Sequence, residues 1–265
     1  MEMIEIKNLT KKYNDKLAVD NLNLSIKQGK LLALLGVNGV GKTTTLKMLS
    51  GLIQPTSGDA RINNYSIVNE SLFVKELIAV SPQETAIAPN LTVRENLELM
   101  AEIHGFKKTL INNKVIEMIT AFNLKDVAAK KSKKLSGGYQ RRLSIAMALI
   151  SEPQILFLDE PTLGLDILAR EQLWRTIKAL KGKITIILTT HYLEEAEALS
   201  DYVCIMKDGK IKALGTTNEL IKFAKTTSFE DAFIKLATGG TENERPLLKE
   251  PQKKFYVTLL ILFLV

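Results

Sequence analysis

The chain has 265 residues, 46% of them hydrophobic, enough for one large globular domain or two small ones with an ordinary core. Its 36 Lys and Arg against 29 Asp and Glu leave a formal charge of +7, which suits an anionic ligand such as a nucleotide, or an anionic membrane surface, and does not by itself exclude nucleic acid. A lone cysteine, Cys204, excludes an intramolecular disulfide and a cysteine metal cluster, and its apolar run Y-V-C-I-M makes it a core residue.

Apolar and polar residues alternate from Met3, so residues 3–9 read as a strand and not as a signal peptide. Strands follow at residues 22–26 and 31–35, with the polar strings K-Y-N-D-K and K-Q-G-K as turns between them. The third run, L-L-A-L-L, is continuously apolar, as a strand buried on both faces would be. Directly after it comes G-V-N-G-V-G-K-T, residues 36–43, which fits G-x-x-x-x-G-K-[ST]. Glycines there let backbone N–H groups curl around phosphate oxygens, Lys42 reaches the β/γ-phosphates, and the Thr43 hydroxyl is placed for Mg²⁺. Helical spacing over residues 43–52 completes the strand, loop and helix that the motif requires.

Residues 55–64 read as a polar, turn-rich connection, and residues 77–80 as a short apolar run ending at Ser81-Pro82-Gln83. From about residue 91 to residue 149 the pattern turns to long amphipathic helices, the first opened by a capping box of Thr92 and Glu95. Lys130, Lys131, Lys133 and Lys134 form the tightest basic cluster, read as solvated surface. Next comes L-S-G-G, residues 135–138, leading into a helical run: a helix N-terminus whose free N–H groups favour an anion. Strands return at residues 155–158, 184–188 and 202–206, with a helix over residues 167–180, and Asp208-Gly209 signals a hairpin to residues 211–214. This alternation implies a right-handed parallel sheet with helices on its faces. Asp159 and Glu160 end the strand I-L-F-L, where open α/β sheets place ligands; the first can hold Mg²⁺ through water and the second can polarise the attacking water.

The phosphate loop, L-S-G-G and I-L-F-L-D-E, in that order, resemble the nucleotide-binding domain of an ATP-binding cassette (ABC) ATPase, over residues 3–215. The resemblance implies an α/β fold: a phosphate-loop NTPase core with a mostly parallel sheet, an N-terminal antiparallel β subdomain and an inserted helical subdomain at about residues 88–150. The ATPase domain then spans residues 1–235 and a tail residues 236–265. It implies ATP held by Tyr13, stacked on adenine, and by Val19, Gly36, Val37, Asn38, Gly39, Val40, Gly41, Lys42, Thr43 and Thr44, with Ser136, Gly137 and Gly138 completing the site of another subunit. Mg²⁺ falls to Thr43, Gln83 and Asp159, and catalysis to Glu160 as general base, His191 as the switch histidine and Gln83 of the Q-loop. Asp166 falls in the D-loop at the dimer contact. Val37 and Val40 stand where the family commonly has proline and alanine, Tyr139 where it has the glutamine of LSGGQ, and Leu163 and Ile167 where it has serine and proline. His104, with no motif around it, reads as structural.

The implied partners are a second ATPase subunit, in a homodimer or heterodimer, and a separate membrane permease. L-T-V-R-E-N-L-E-L-M-A-E-I-H-G-F and F-E-D-A-F-I-K-L-A-T-G are similar to ATPases of the ABC-2 exporter kind, which puts the chain peripherally on the cytoplasmic face of the cell membrane with an unread cargo. The alternative is a soluble ABC ATPase acting on DNA, ribosomes or iron-sulfur assembly; one cassette and no zinc-type cysteines stand against it, and no nucleic acid is expected. Residues 255–265 are strongly apolar but well short of the ~20 needed to span a bilayer. They read as a membrane-surface anchor, the opening of a longer membrane segment, or a docked strand or helix, with membrane association favoured.

Overall fold

The structure, a computed structural model, describes residues 1–238. The first alternating segments form a hairpin of β1 (Glu2–Tyr13) and β2 (Lys16–Lys27), which turns through Asn14 at φ 48°, a left-handed geometry that asparagine tolerates. β3 (Leu31–Leu35), buried at every position, leads into α1 (Lys42–Leu49), and then come β4 (Ser57–Ile62), β5 (Tyr65–Ser66), α2 (Ser71–Leu77) and β6 (Ile78–Ser81). Three helices follow, α3 (Val93–Ile103), α4 (Lys108–Ala121) and α5 (Gly137–Leu149). The chain continues through β7 (Ile155–Asp159), α6 (Ile167–Lys178), β8 (Thr185–Thr190), α7 (Leu193–Leu199), β9 (Tyr202–Lys207), β10 (Lys210–Gly215), α8 (Thr217–Ala224) and α9 (Phe229–Thr238).

Two sheets result. An antiparallel one runs β2-β1-β4-β5, and a six-stranded one runs β10-β9-β3-β8-β7-β6, parallel except for the β9–β10 hairpin. In β3, Leu31, Ala33 and Leu35 join one apolar core and Leu32 and Leu34 the other; β7 divides in the same way, Leu156 and Leu158 against Ile155 and Phe157. Side chains of successive residues point to opposite faces, so a sheet covered on both sides needs runs that are apolar throughout. One core takes α5, α6, α8, α9 and the helical insert; the other takes α1 and the antiparallel sheet. Cys204 is fully buried in the second. Burial pushes its thiol up to about 12.

The insert opens as its sequence predicts: Thr92 Oγ1 accepts from Glu95 N at 3.2 Å, and Glu95 Oε2 accepts from Thr92 N at 2.7 Å. Asn96, wholly buried, then bonds Ala88 N, Thr92 O and Ser132 Oγ, tying the entry of α3 to the segment before L-S-G-G.

Residues 55–64 correct the reading of a mere turn-rich connection, because they contain β4, paired with β1. Only Ala60 and Ile62 of S-G-D-A-R-I are buried, so the strand carries too few apolar residues to signal itself. The short helices α2 and α7 likewise lie outside the predicted elements; α2 fully buries Val74 alone. The tail, and with it the expected membrane association of residues 255–265, lies outside the described residues.

Candidate functional site

Strand order decides which side chains meet. β3, β8 and β7 are parallel neighbours, so the phosphate loop after β3, His191 after β8 and Asp159-Glu160 at the end of β7 emerge together at the carboxyl ends of the strands, with Gln83 just after neighbouring β6. Tyr13, Lys16, Ala18, Asn38, Gly39, Gly41, Lys42, Thr43, Thr44, Gln83, Glu160, Leu163 and His191 line a cavity of about 530 Å³ there.

The loop is shaped by Gly39 and Gly41, at φ 84° and 101°, where an L side chain is strained. At Gly41 a Cβ would also stand 2.4 Å from Ala18 O, so the start of β2 presses directly on the loop backbone. Lys42, only 4% exposed, donates from Nζ to Gly36 O at 2.7 Å and Val37 O at 3.1 Å, with Glu160 Oε1 at 3.7 Å. Burial lowers its pKa, and the carboxylates of Glu160 and Asp159 oppose that shift. Asp159 Oδ1 accepts from Thr43 Oγ1 at 3.0 Å and from Thr189 Oγ1 at 2.5 Å, which fixes its carboxylate beside the start of α1.

Glu160 has φ 45°, a left-handed conformation uncommon for a glutamate. Such backbone costs on the order of 1–3 kcal/mol and persists where neighbours over-determine it. Thr189 does this, its O and Oγ1 accepting from Glu160 N at 3.1 and 3.0 Å. The carboxylate therefore turns into the cavity, Oε1 toward Lys42 and Oε2 3.2 Å from His191 Nδ1. That imidazole nitrogen is buried with no partner in hydrogen-bonding direction, and its ring leans on Tyr192 at a centroid distance of 4.1 Å.

L-S-G-G stands elsewhere. Ser136 is the N-cap of α5 with its hydroxyl uncommitted to capping, and neither it nor Gly137 nor Gly138 lines the cavity of its own chain. A Cβ on Gly138 would come within 2.8 Å of Ala169 Cβ, so glycine permits α5 and α6 to pack closely at this point. Asp166 caps α6, its Oδ1 accepting from Ala169 N at 2.9 Å.

The profile of the family described as ABC transporter matches residues 19–163. The chain belongs to the ABC transporter family.

It is 40% identical over 221 residues to Nod factor export ATP-binding protein I of Burkholderia orbicola, covering 83% of this chain and 72% of that protein. With the human phospholipid-transporting ATPase ABCA3 it shares 39% identity over 218 residues, 81% of this chain but 13% of that much longer protein. Among solved structures it superimposes with a TM-score of 0.73, at 28% identity, on the dimeric post-hydrolysis state of the ATP-binding cassette MJ0796 bound to ADP and Pi, covering 81% of this chain and 98% of that one.

Within this ABC ATPase the predicted residues are not all at the cavity. Val19 is wholly buried under the phosphate loop, its Cγ2 3.2 Å from where a Cβ on Gly41 would lie, while Lys16 and Ala18 reach the cavity from the same strand. Val40 is buried against Gly36, and Val37 is 60% exposed. Tyr13 stands at the rim, 46% exposed, with Lys11 Nζ 5.2 Å from its ring centroid. Tyr139, in the place of the family's glutamine, packs on its own lobe: the Arg142 guanidinium lies 4.3 Å over its ring and donates to Phe122 O and Asn123 O.

Three polar residues escaped the sequence reading: Thr189, which holds the Asp159 carboxylate and the Glu160 backbone N–H; Arg141, which donates to Pro82 O and Gln83 O; and Glu195. The last is 1% exposed and accepts from Trp174 Nε1 at 3.2 Å. Burial pushes its pKa up. A carboxyl raised in the folded state contributes stability that is present below the unfolded pKa of about 4.5 and lost as pH rises through the folded value. Glu195→Gln is therefore expected to melt at a higher temperature than the wild type at about pH 8, and the gain should shrink toward about pH 5. Thermal melts across that range check it, and a difference independent of pH would count against a buried, charge-strained carboxylate.

Proposed function

We propose that the chain binds ATP with Mg²⁺ in this cavity, pairs head to tail with a second ATPase subunit whose Ser136–Gly138 complete the site, and energises a separate membrane permease in the direction of export. The observation that carries the chemistry is the placement of Glu160, turned into the cavity by a strained backbone between the Lys42 ammonium and the His191 imidazole. Its carboxylate takes a proton from the water that attacks the γ-phosphorus, while the bond from phosphorus to the bridging oxygen breaks and ADP and phosphate leave. Lys42 and the loop N–H groups hold the charge of the β/γ-phosphates, His191 faces the γ-phosphate, and Tyr13 offers its ring to the base. Gln83 reaches the cavity beside Glu160.

An all-oxygen donor set beside the phosphates suits Mg²⁺, which takes one or two carboxylates with phosphate oxygens and water. Asp159 and the Thr43 hydroxyl, which meet at 3.0 Å, would hold the ion together with Gln83, and it would neutralise developing phosphate charge.

The export assignment is supported by the relative whose name speaks of it, the Nod factor export protein, and drug resistance in the name of DrrA of Streptomyces peucetius, the daunorubicin/doxorubicin resistance ATP-binding protein, agrees with it. No described helix is long and apolar enough to cross a membrane. We take the permease to be a separate protein and place the chain peripherally on the cytoplasmic face. Copurification of the full chain from detergent-solubilised membranes tests this. A multispanning protein whose addition in liposomes stimulates ATP turnover is expected; recovery with ribosomes or DNA, and no such stimulation, would favour the non-transport alternative.

A further inference from the structure

α5 carries two things on one rod. At its N-terminus are Gly137 and Gly138, with Ser136 as the cap; one turn further in, Arg141 points inward, only 4% exposed. Its guanidinium donates from Nη1 to Pro82 O at 2.6 Å and from Nη2 to Gln83 O. One turn on, Ser144 Oγ meets Ser81 Oγ at 3.1 Å, both buried. Three consecutive residues at the end of β6 are thus bonded to one face of α5. The planar fork of an arginine fixes two adjacent carbonyls at once, and with them the peptide plane between Pro82 and Gln83, which a lysine ammonium cannot do. Burial lowers the pKa of this guanidinium, and the carboxylates of Asp159 and Glu195 oppose that shift.

We propose that Arg141 is a positioning residue that makes Gln83 move with α5, so that the closing of L-S-G-G on a partner subunit's nucleotide delivers Gln83 to its own chain's cavity. This rests on the reading of Gln83 as a participant in ATP hydrolysis. Binding of ATP to the phosphate loop does not need the tie; attainment of the hydrolytic geometry does.

The test compares the full-length wild type with Arg141→Met, Arg141→Lys and Glu160→Gln, using MgATP. In Arg141→Met the KM for ATP should stay within about threefold of the wild type while kcat falls roughly 10- to 100-fold, the size of effect that an ångström of misplacement produces. Arg141→Lys should recover only part of that loss. Hydrogen exchange in the Glu160→Gln background gives a readout that turnover does not touch. With arginine present, MgATP should slow exchange in residues 83–88 and 137–149 together; with methionine it should slow only 137–149. A kcat within about twofold of wild type in Arg141→Met, or equal slowing of both segments, would overturn the tie. Should the methionine variant fail to fold, the lysine variant keeps the buried charge and must still show the lowered kcat at unchanged KM. Normal turnover by Glu160→Gln would overturn the proposed hydrolytic site, and the paired exchange of the two segments would still decide the tie.

Discussion

Glu160→Gln is expected to lower steady-state ATP turnover by roughly 10²- to 10⁴-fold, the usual contribution of a positioned general base, while ATP affinity changes by no more than a few-fold. Glutamine keeps the shape of the side chain and leaves the backbone bonds from Glu160 N to Thr189 intact. What it removes is the proton acceptor in the cavity and the negative charge facing Lys42 and His191. Loss of that charge leaves Lys42 more attractive to phosphate, so binding should hold or tighten. Turnover by coupled assay and affinity by isothermal titration separate the two effects. Turnover close to wild type would remove Glu160 from the reaction.

Lys42→Ala should instead weaken binding itself. The ammonium is buried and held by two loop carbonyls and Glu160, so it meets phosphate without water in between. Hydrogen bonds to charged groups in such settings contribute on the order of 1.5–3 kcal/mol each, so a Kd weaker by about 10- to 100-fold or more is expected. The fold should survive, since burial already lowers the Lys42 pKa and the charge is not a source of stability in the nucleotide-free protein. A near-normal Kd in a folded variant would mean that the loop backbone alone holds the nucleotide.

Much of this arrangement was legible because the site hangs on elements with strong patterns. L-L-A-L-L and I-L-F-L are apolar at every position, and a strand covered on both faces permits little else, so β3 and β7 and the residues at their ends could be placed from sequence. The capping box of Thr92 and Glu95 was equally plain, since both halves are local. The missed pieces rest on distant contacts. β4 gains its place from pairing with β1, and its two buried residues are too few to announce it. Arg141 looks like one of several basic residues in Q-R-R until the fold brings Pro82 and Gln83 against it. Val19, which the resemblance gives to the nucleotide, lies buried beneath the loop where β2 closes on Gly41, and Lys16 and Ala18 line the cavity.

The proposed cavity is half of a site whose other half is L-S-G-G of a second subunit. Sedimentation velocity with MgATP tests it most directly, on Glu160→Gln and on the same variant with Ser136→Arg. Glu160→Gln is expected to be a monomer without nucleotide and a dimer with it, and adding Ser136→Arg should leave ATP bound to a monomer. A Glu160→Gln chain that stays monomeric when saturated with MgATP, or a double variant that dimerises equally well, would contradict it.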